Sequence, residues 1–133
     1  MRAAKILIII VTWNKQDYVI NLLNSLKHIQ YPLENLDILV VDNASNDDTV
    51  KLIRQKFPTV KLICNSENLG GTGGFNTGLA WAFEQAEDTY EYLWLLDNDV
   101  VVHENALQEL LNTLDQNPDA AIADSTMMQL DYP

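Results

Sequence analysis

The chain is poor in basic residues, in cysteine and in long apolar runs. Only 8 Lys and Arg stand against 19 Asp and Glu in 133 residues, a formal net charge of -11. Nucleic-acid binding leans on basic side chains facing phosphate, so this chain is a poor match to that class of partner. Any phosphate it binds must be met by backbone amides, a metal or the few basic groups. Most of the excess acid reads as solvated surface. The single cysteine, Cys64, rules out a disulfide framework within the chain and, at the end of an apolar run, reads as a buried core thiol. No run approaches the ~18 apolar residues of a membrane-spanning helix. The apolar stretch Ile6–Val11 behind Met1-Arg2-Ala3-Ala4-Lys5 resembles the opening of a signal peptide, but it is too short and no small-residue cleavage site follows. The expectation is a cytoplasmic protein, at the cytoplasmic face of a membrane in its full-length form. His28 and His103 are the only histidines, and neither belongs to a ligand cluster.

What is present is the composition of a globular domain, 47% apolar and 20% charged, with no linker, repeat or low-complexity tract. Its length suits one domain, residues 1–133, with a real core. Ile6–Val11 is a continuous β-branched run, as expected of a strand buried on both faces. Tyr18, Val19, Leu22, Leu23, Leu26 and Ile29 recur at helical spacing and predict a helix over about 16–29. Leu36–Val41 and Val60–Cys64 read as further strands, with a helix between them capped at Ser45-Asn46-Asp47-Asp48 and stopped by Pro58. A helix carrying Phe75, Leu79, Ala82 and Phe83, a strand Tyr92–Leu96, a helix Asn105–Leu114 and a last strand Ala120–Leu130 complete the series. Strict strand–helix alternation predicts an α/β fold, a three-layer α/β/α sandwich on a mostly parallel sheet. In such sheets ligands bind outside the carboxyl ends of the strands.

Four polar segments fall at those ends. Asp97-Asn98-Asp99 follows a buried strand, and two carboxylates there suit Mg2+ or Mn2+, ions that use few protein ligands and bridge to phosphates. An ordinary polar turn gives the same pattern. Asp42, directly after Leu39-Val40-Val41, reads either as an Asx turn or as a carboxylate accepting from a base or ribose. Thr12-Trp13-Asn14 offers a ring and polar groups for a base, or a helix entry capped by Asn14. Asn68-Leu69-Gly70-Gly71-Thr72-Gly73-Gly74-Phe75-Asn76 is neither a dinucleotide fingerprint nor a P-loop, since no Lys follows the glycines. It reads as a wide glycine turn at a helix start, suited to an anion, or as a flexible connector.

Together these segments resemble the nucleotide-sugar-binding half of a family 2 glycosyltransferase, a Rossmann-like GT-A fold. Thr12-Trp13-Asn14 resembles that family's first-strand Thr/Ser-aromatic-Asn. Val41-Asp42-Asn43-Ala44-Ser45-Asn46-Asp47 resembles its Val-Asp-Asn/Asp-x-Ser-x-Asp, and Leu96-Asp97-Asn98-Asp99 its Asp-x-Asp. The Asn68–Asn76 segment is similar to the loop of the rhamnosyl- and galactofuranosyltransferase-like branch. The resemblance implies that Thr12, Trp13, Asn14, Asp42 and Asp97 meet the nucleotide, and that Asp99, with Asp97, holds the metal. It also implies that Asn68, Gly70, Gly71, Gly73, Gly74 and Asn76 lie by the donor sugar or diphosphate. The implied donor is a UDP-, dTDP- or GDP-linked sugar, transferred with inversion to a glycan or lipid-linked acceptor.

The departure is length. The family's general base lies in an acceptor-binding half well beyond Asp-x-Asp, and 34 residues follow Asp99 here. Neither Asp124 nor Asp131 matches the base, so none is assigned, and the expectation is a part of a longer enzyme. A non-catalytic nucleotide-sugar-binding module is the alternative. A nucleotidyltransferase fits less well, because no glycine-rich basic loop follows the first strand.

Overall fold

The computed structural model describes residues 2–125. Four parallel strands form one sheet in the order β3-β2-β1-β4: β1 Ile6–Thr12, β2 Leu36–Asp42, β3 Lys61–Cys64 and β4 Tyr92–Asp97. The helices are α1 Gln16–Leu26, α2 Thr49–Lys56, α3 Gly70–Phe83 and α4 Ala106–Gln116, with a single 3-10 turn at Leu33–Asn35. The predicted alternation is present through α4. The expected last strand is not: residues 120–125 are irregular, and the remainder of that segment lies outside the described residues.

β1 is the centre of the sheet, and Ile6, Leu7, Ile8, Ile9 and Ile10 are completely buried. Each contributes about 2 kcal/mol of gross hydrophobic stabilisation, which is why the longest unbroken aliphatic run, Ile6–Val11, appears here. Ile6, Ile8 and Ile10 face a core completed by Val19, Leu22 and Leu26 of α1, Ile53 of α2 and Leu107 and Leu111 of α4. Leu7 and Ile9 face the other way, with Leu39 and Val41, against Phe75, Leu79 and Ala82 of α3. Right-handed crossovers dictate this division. The chain steps β1 to β2 to β3 in one direction with α1 and α2 on one face, then doubles back to β4 with α3 on the other. The reversal lies between β1 and β4, the position where open α/β sheets bind ligands.

Three local expectations change. α1 stops at Leu26 rather than near Ile29. α2 starts at Thr49 with Asp48 at the N-cap position, and the Oδ1 of Asp47 just before it accepts from the Thr49 N–H at 3.0 Å and from the Thr49 hydroxyl. Ser45 is committed elsewhere. Cys64 is exposed, because β3 is short and lies at the end of the sheet order. Partial desolvation and then the nearby Asp42 charge push its thiol pKa up, only partly offset by Arg54, so it is a poor nucleophile.

The glycines show the largest difference. All five sit in α3, and only Gly70 has a positive φ, +73°. The expected wide turn is helix from Gly70 onward. A Cβ at Gly78 would lie 2.6 Å from Ile9 Cγ2, and one at Gly74 would collide with Val11 Cγ1 and reach 3.0 Å from Asn43 Nδ2. Gly74 and Gly78, one turn apart, therefore let α3 lie directly on β1. A side chain at either would force α3 off the sheet.

At the opposite end of the sheet, Asp37 collects the strand entries. Its Oδ2 accepts from the Tyr90 hydroxyl at 2.6 Å and lies 3.7 Å from both Lys5 Nζ and Lys61 Nζ. Burial, then the hydrogen bond to Asp37 and its charge, push the Tyr90 pKa well up.

Two predictions follow from these contacts. Gly78→Ala lowers stability by about 1–3 kcal/mol through overpacking, whereas Gly71→Ala, with nothing within 4 Å of its Cβ, is neutral or gains up to about 1 kcal/mol of helix propensity; urea unfolding of the pair measures the contrast. The neutral Tyr90 phenol is the form that donates to Asp37, so its stabilisation is present below the unfolded tyrosine value of about 10 and is lost as pH rises beyond it. Wild type should lose stability between pH 9 and about 11 more steeply than Tyr90→Phe, measured by thermal melts across that range.

Candidate functional site

The exits of β1 and β2 are tied together. Thr12 and Asp42 are register partners, and the Asn43 N–H donates to the Thr12 carbonyl at 2.9 Å. The Asn14 N–H donates to Ser45 Oγ at 2.9 Å, and Asn14 Oδ1 accepts from the Asn46 N–H at 2.8 Å. Asn14 therefore does not cap α1, whose N-cap is Lys15; it clasps the β2–α2 loop. Asn14 and Ala44 both have positive φ, 50° and 64°, conformations disfavoured for residues with a Cβ, and for Ala44 by about 1–2 kcal/mol. The Ala44 bend brings the Ser45 N–H to Asp42 Oδ2, 2.9 Å away.

Asp42 is then half satisfied. It is 1% exposed, Oδ2 has its partner, and Oδ1 is buried without one among the described residues. A buried acceptor left unpaired costs about 1–3 kcal/mol. By strand alternation Thr12 and Asp42 project on the α1 and α2 side of the sheet, Thr12 buried with them. Trp13, next to Thr12, is 47% exposed, so its ring is free for contact at the same edge.

The β4 exit lies across the switch point. Asn98 Nδ2 donates to Thr12 Oγ1 at 3.0 Å, joining that exit to β1. Asp97 is in register with Val11, the residue under Gly74, so alternation directs it to the α3 side. Asp99 lies in the turn beyond the strand, and both aspartates are exposed. Among the described residues neither forms a salt bridge, and no group of three or more His, Cys, Asp and Glu is assembled for a metal. Two free carboxylates fit a hard divalent cation that takes its remaining ligands from a diphosphate and water.

α3 begins beside these groups. The Gly70 N–H donates to Asn68 Oδ1 at 2.9 Å, and the Gly70 carbonyl accepts from Asn43 Nδ2 at 2.9 Å. Gly71 is open to solvent, Gly73 lies against Leu69, and Asn76 is exposed on the next turn. The structure thus brings Thr12, Asp42, Asp97 and the start of α3 to one sheet edge, with Trp13 and Asp99 at its rim. Reading the segments singly left out the amides between them, Asn43, Asn65 and Asn98. Their signal is an Asn at each of three strand exits, which only the topology makes into a group.

A family model described as Glycosyl transferase family 2 matches residues 7–131. The chain belongs to glycosyl transferase family 2. Among curated members it is 26% identical over 113 residues to the poly(ribitol-phosphate) beta-N-acetylglucosaminyltransferase TarS of Staphylococcus aureus, which covers 85% of this chain and 19% of TarS. It is 28% identical over 110 residues to the glycosyltransferase AglE of Haloferax volcanii, covering 80% and 34%. The chain spans about a fifth to a third of the length of these relatives. The structure of TarS residues 1–349 with UDP-GlcNAc superposes with a TM-score of 0.69 at 26% identity, covering 86% of this chain and 32% of that one. The mannosyltransferase PcManGT of Pyrobaculum calidifontis, solved with GDP-Man and Mn2+, superposes with a TM-score of 0.73 over 85% and 33%; at 24% identity that likeness shows the fold. The GT-A-like α/β fold and the family 2 glycosyltransferase domain are therefore as expected from the sequence.

The strain at Asp42 has a measurable consequence. Asp42→Asn can keep an oxygen on the Ser45 N–H while removing the charge from a buried site. Stability should stay level or rise by about 1 kcal/mol, a gain of a few degrees in Tm, where most buried polar substitutions destabilise. A clear fall in Tm would mean that the Asp42 charge is already well compensated.

Proposed function

We propose that this domain binds a nucleoside-diphosphate sugar and a divalent cation at the carboxyl ends of β1, β2 and β4. It would be the donor-binding part of an inverting glycosyltransferase acting on a glycan or lipid-linked acceptor. The observation that carries this reading is the buried, unpartnered Oδ1 of Asp42. As an acceptor-only atom it is complementary to the imide N–H of uracil or thymine, or to an N–H of guanine. Thr12 and Trp13 at the β1 exit would flank the base, Thr12 by its hydroxyl and Trp13 by its exposed ring, with Asn14 holding the loop.

Asp97 would meet the ribose or the cation, and Asp99 the cation. Mg2+ and Mn2+ both suit these oxygens, and when bound the ion neutralises charge on the departing diphosphate. The start of α3, from Asn68 through Gly70, Gly71, Gly73 and Gly74 to Asn76, would border the diphosphate and sugar. Its similarity to the rhamnosyl- and galactofuranosyltransferase-like branch supports a donor of that kind. We assign no residue of this chain as the general base, and place the reaction in the cytoplasm or at the cytoplasmic face of a membrane, where nucleotide sugars are available. Among the described residues no helix is long and apolar enough to cross a membrane.

Calorimetry with UDP, dTDP and GDP, each with and without Mn2+, tests the reading. One nucleotide should bind in a Mn2+-dependent manner. Asp99→Ala should weaken binding at least tenfold and abolish the metal dependence, and Asp42→Asn should weaken it tenfold or more with or without metal, about 1.4 kcal/mol or above. Folded wild-type protein that binds none of the three refutes the proposal. Metal-dependent binding without sugar transfer by the full-length enzyme would favour a non-catalytic binding module.

A further inference from the structure

Behind the donor edge lies a chain of side-chain hydrogen bonds that the site itself does not use. Asn43, 2% exposed, donates from Nδ2 to the Gly70 carbonyl at 2.9 Å and accepts at Oδ1 from Asn65 Nδ2 at 3.0 Å. Asn65 Nδ2 also lies 3.2 Å from Thr77 Oγ1, and that hydroxyl lies 3.1 Å from the Gly73 carbonyl. The backbone N–H of Asn65 donates to the Asp42 carbonyl at 2.8 Å. The donor count is consistent along the whole chain. The two N–H of Asn65 serve Asn43 and Thr77, and the one hydroxyl proton of Thr77 serves Gly73.

This chain joins three elements, and its ends are informative. One end is the backbone of Asp42 and its neighbour Asn43. The other is the pair of carbonyls, Gly70 and Gly73, in the first turn of α3. Its bonds span the gap between the strand exit that carries the Asp42 carboxylate and the α3 start, beside the helix–strand packing that sets the height of α3. Shape contributes as well: a Cβ at Gly74 would come within 3.0 Å of Asn43 Nδ2, so the Asn43 amide lies directly against the helix backbone. In this chain an aspartate at 43 would turn a carboxylate oxygen toward the Gly70 carbonyl and lose that bond.

We propose that Asn43, Asn65 and Thr77 are positioning residues. They form a latch that holds the first turn of α3 at a fixed offset from Asp42, so that the base side and the sugar-diphosphate side of the donor pocket are pre-set relative to each other. The ligand-binding part of this proposal rests on the nucleotide-sugar reading given above; the latch itself does not. Loss of the latch leaves the base contact in place and loosens the groups beyond it. The penalty therefore falls on ligands that reach past the first phosphate.

The test uses Asn43→Asp, Asn65→Ala and Thr77→Val, with Thr77→Ser as the variant that keeps the hydroxyl. In ligand-free protein, amide exchange in residues 70–74 should accelerate about tenfold or more in the first three, while β1 amides keep their wild-type rates and Thr77→Ser stays near wild type. Calorimetry with Mn2+ should show UMP affinity within twofold of wild type in Asn65→Ala, but UDP-N-acetylglucosamine affinity reduced about tenfold. Unchanged exchange at 70–74, or equal acceleration at 70–74 and in β1, overturns the latch. Equal loss for UMP and the nucleotide sugar overturns its positioning role. If wild type binds neither ligand nor the thymidine and guanosine counterparts, the nucleotide-sugar reading and the positioning role fall, and the exchange data decide the latch independently; if it binds one of those counterparts, the same comparison is made with that monophosphate and its nucleotide sugar.

Discussion

The close approach of α3 to β1 governs where everything else at the sheet edge can lie. Gly74 rests on Val11 and Gly78 on Ile9, so the helix backbone takes the place that a layer of side chains normally fills. Because β1 is buried on both faces, it cannot yield, and α3 is set against a fixed reference. Its first turn then arrives beside the exits of β1 and β2, close enough for one asparagine side chain to bridge the gap. Helix packing and site geometry are thus a single constraint here.

Asp42 shows the opposite economy. The surrounding backbone is arranged, through the left-handed Ala44, to satisfy one carboxylate oxygen and leave the other buried and bare. Folding alone gives no reason for such an atom, since a bent loop and an unpaired acceptor both oppose it. Asp97 and Asp99 differ in kind: they are exposed, solvated and inexpensive to keep. Burial therefore separates a carboxylate shaped for a directional contact from carboxylates suited to an ion.

Much of this was legible in the sequence, because strict strand–helix alternation nearly determines a parallel sheet whose carboxyl ends form the binding edge; the reversal between β1 and β4 came only with the strand order. The apolar run of β1 announced its own burial. The glycines were harder, because adjacent glycines read locally as a loop; the spacing of Gly74 and Gly78, one face of a helix, was the signal that they pack. Cys64 looked buried because its strand is apolar, but a strand's place in the sheet order is not written in its own residues. Ser45 likewise looked like a helix cap, yet its partner is Asn14, 31 positions away. Contacts between amides on separate strand exits have no local pattern to read.

The sheet is also asymmetric. The residues proposed for the base side sit on β1 and β2, while among the described residues β4 ends the strand order and keeps Leu95 44% exposed. A groove of about 280 Å³ runs along β4 and α4, between Trp94, Leu107, Leu111 and Ile122. Leu107 and Leu111 line that groove and also pack on Ile6, Ile8 and Ile10, so the margin and the centre of the sheet share one core. A substitution at either leucine is therefore felt at β1, whose exit already leans on β4 through Asn98 and Thr12.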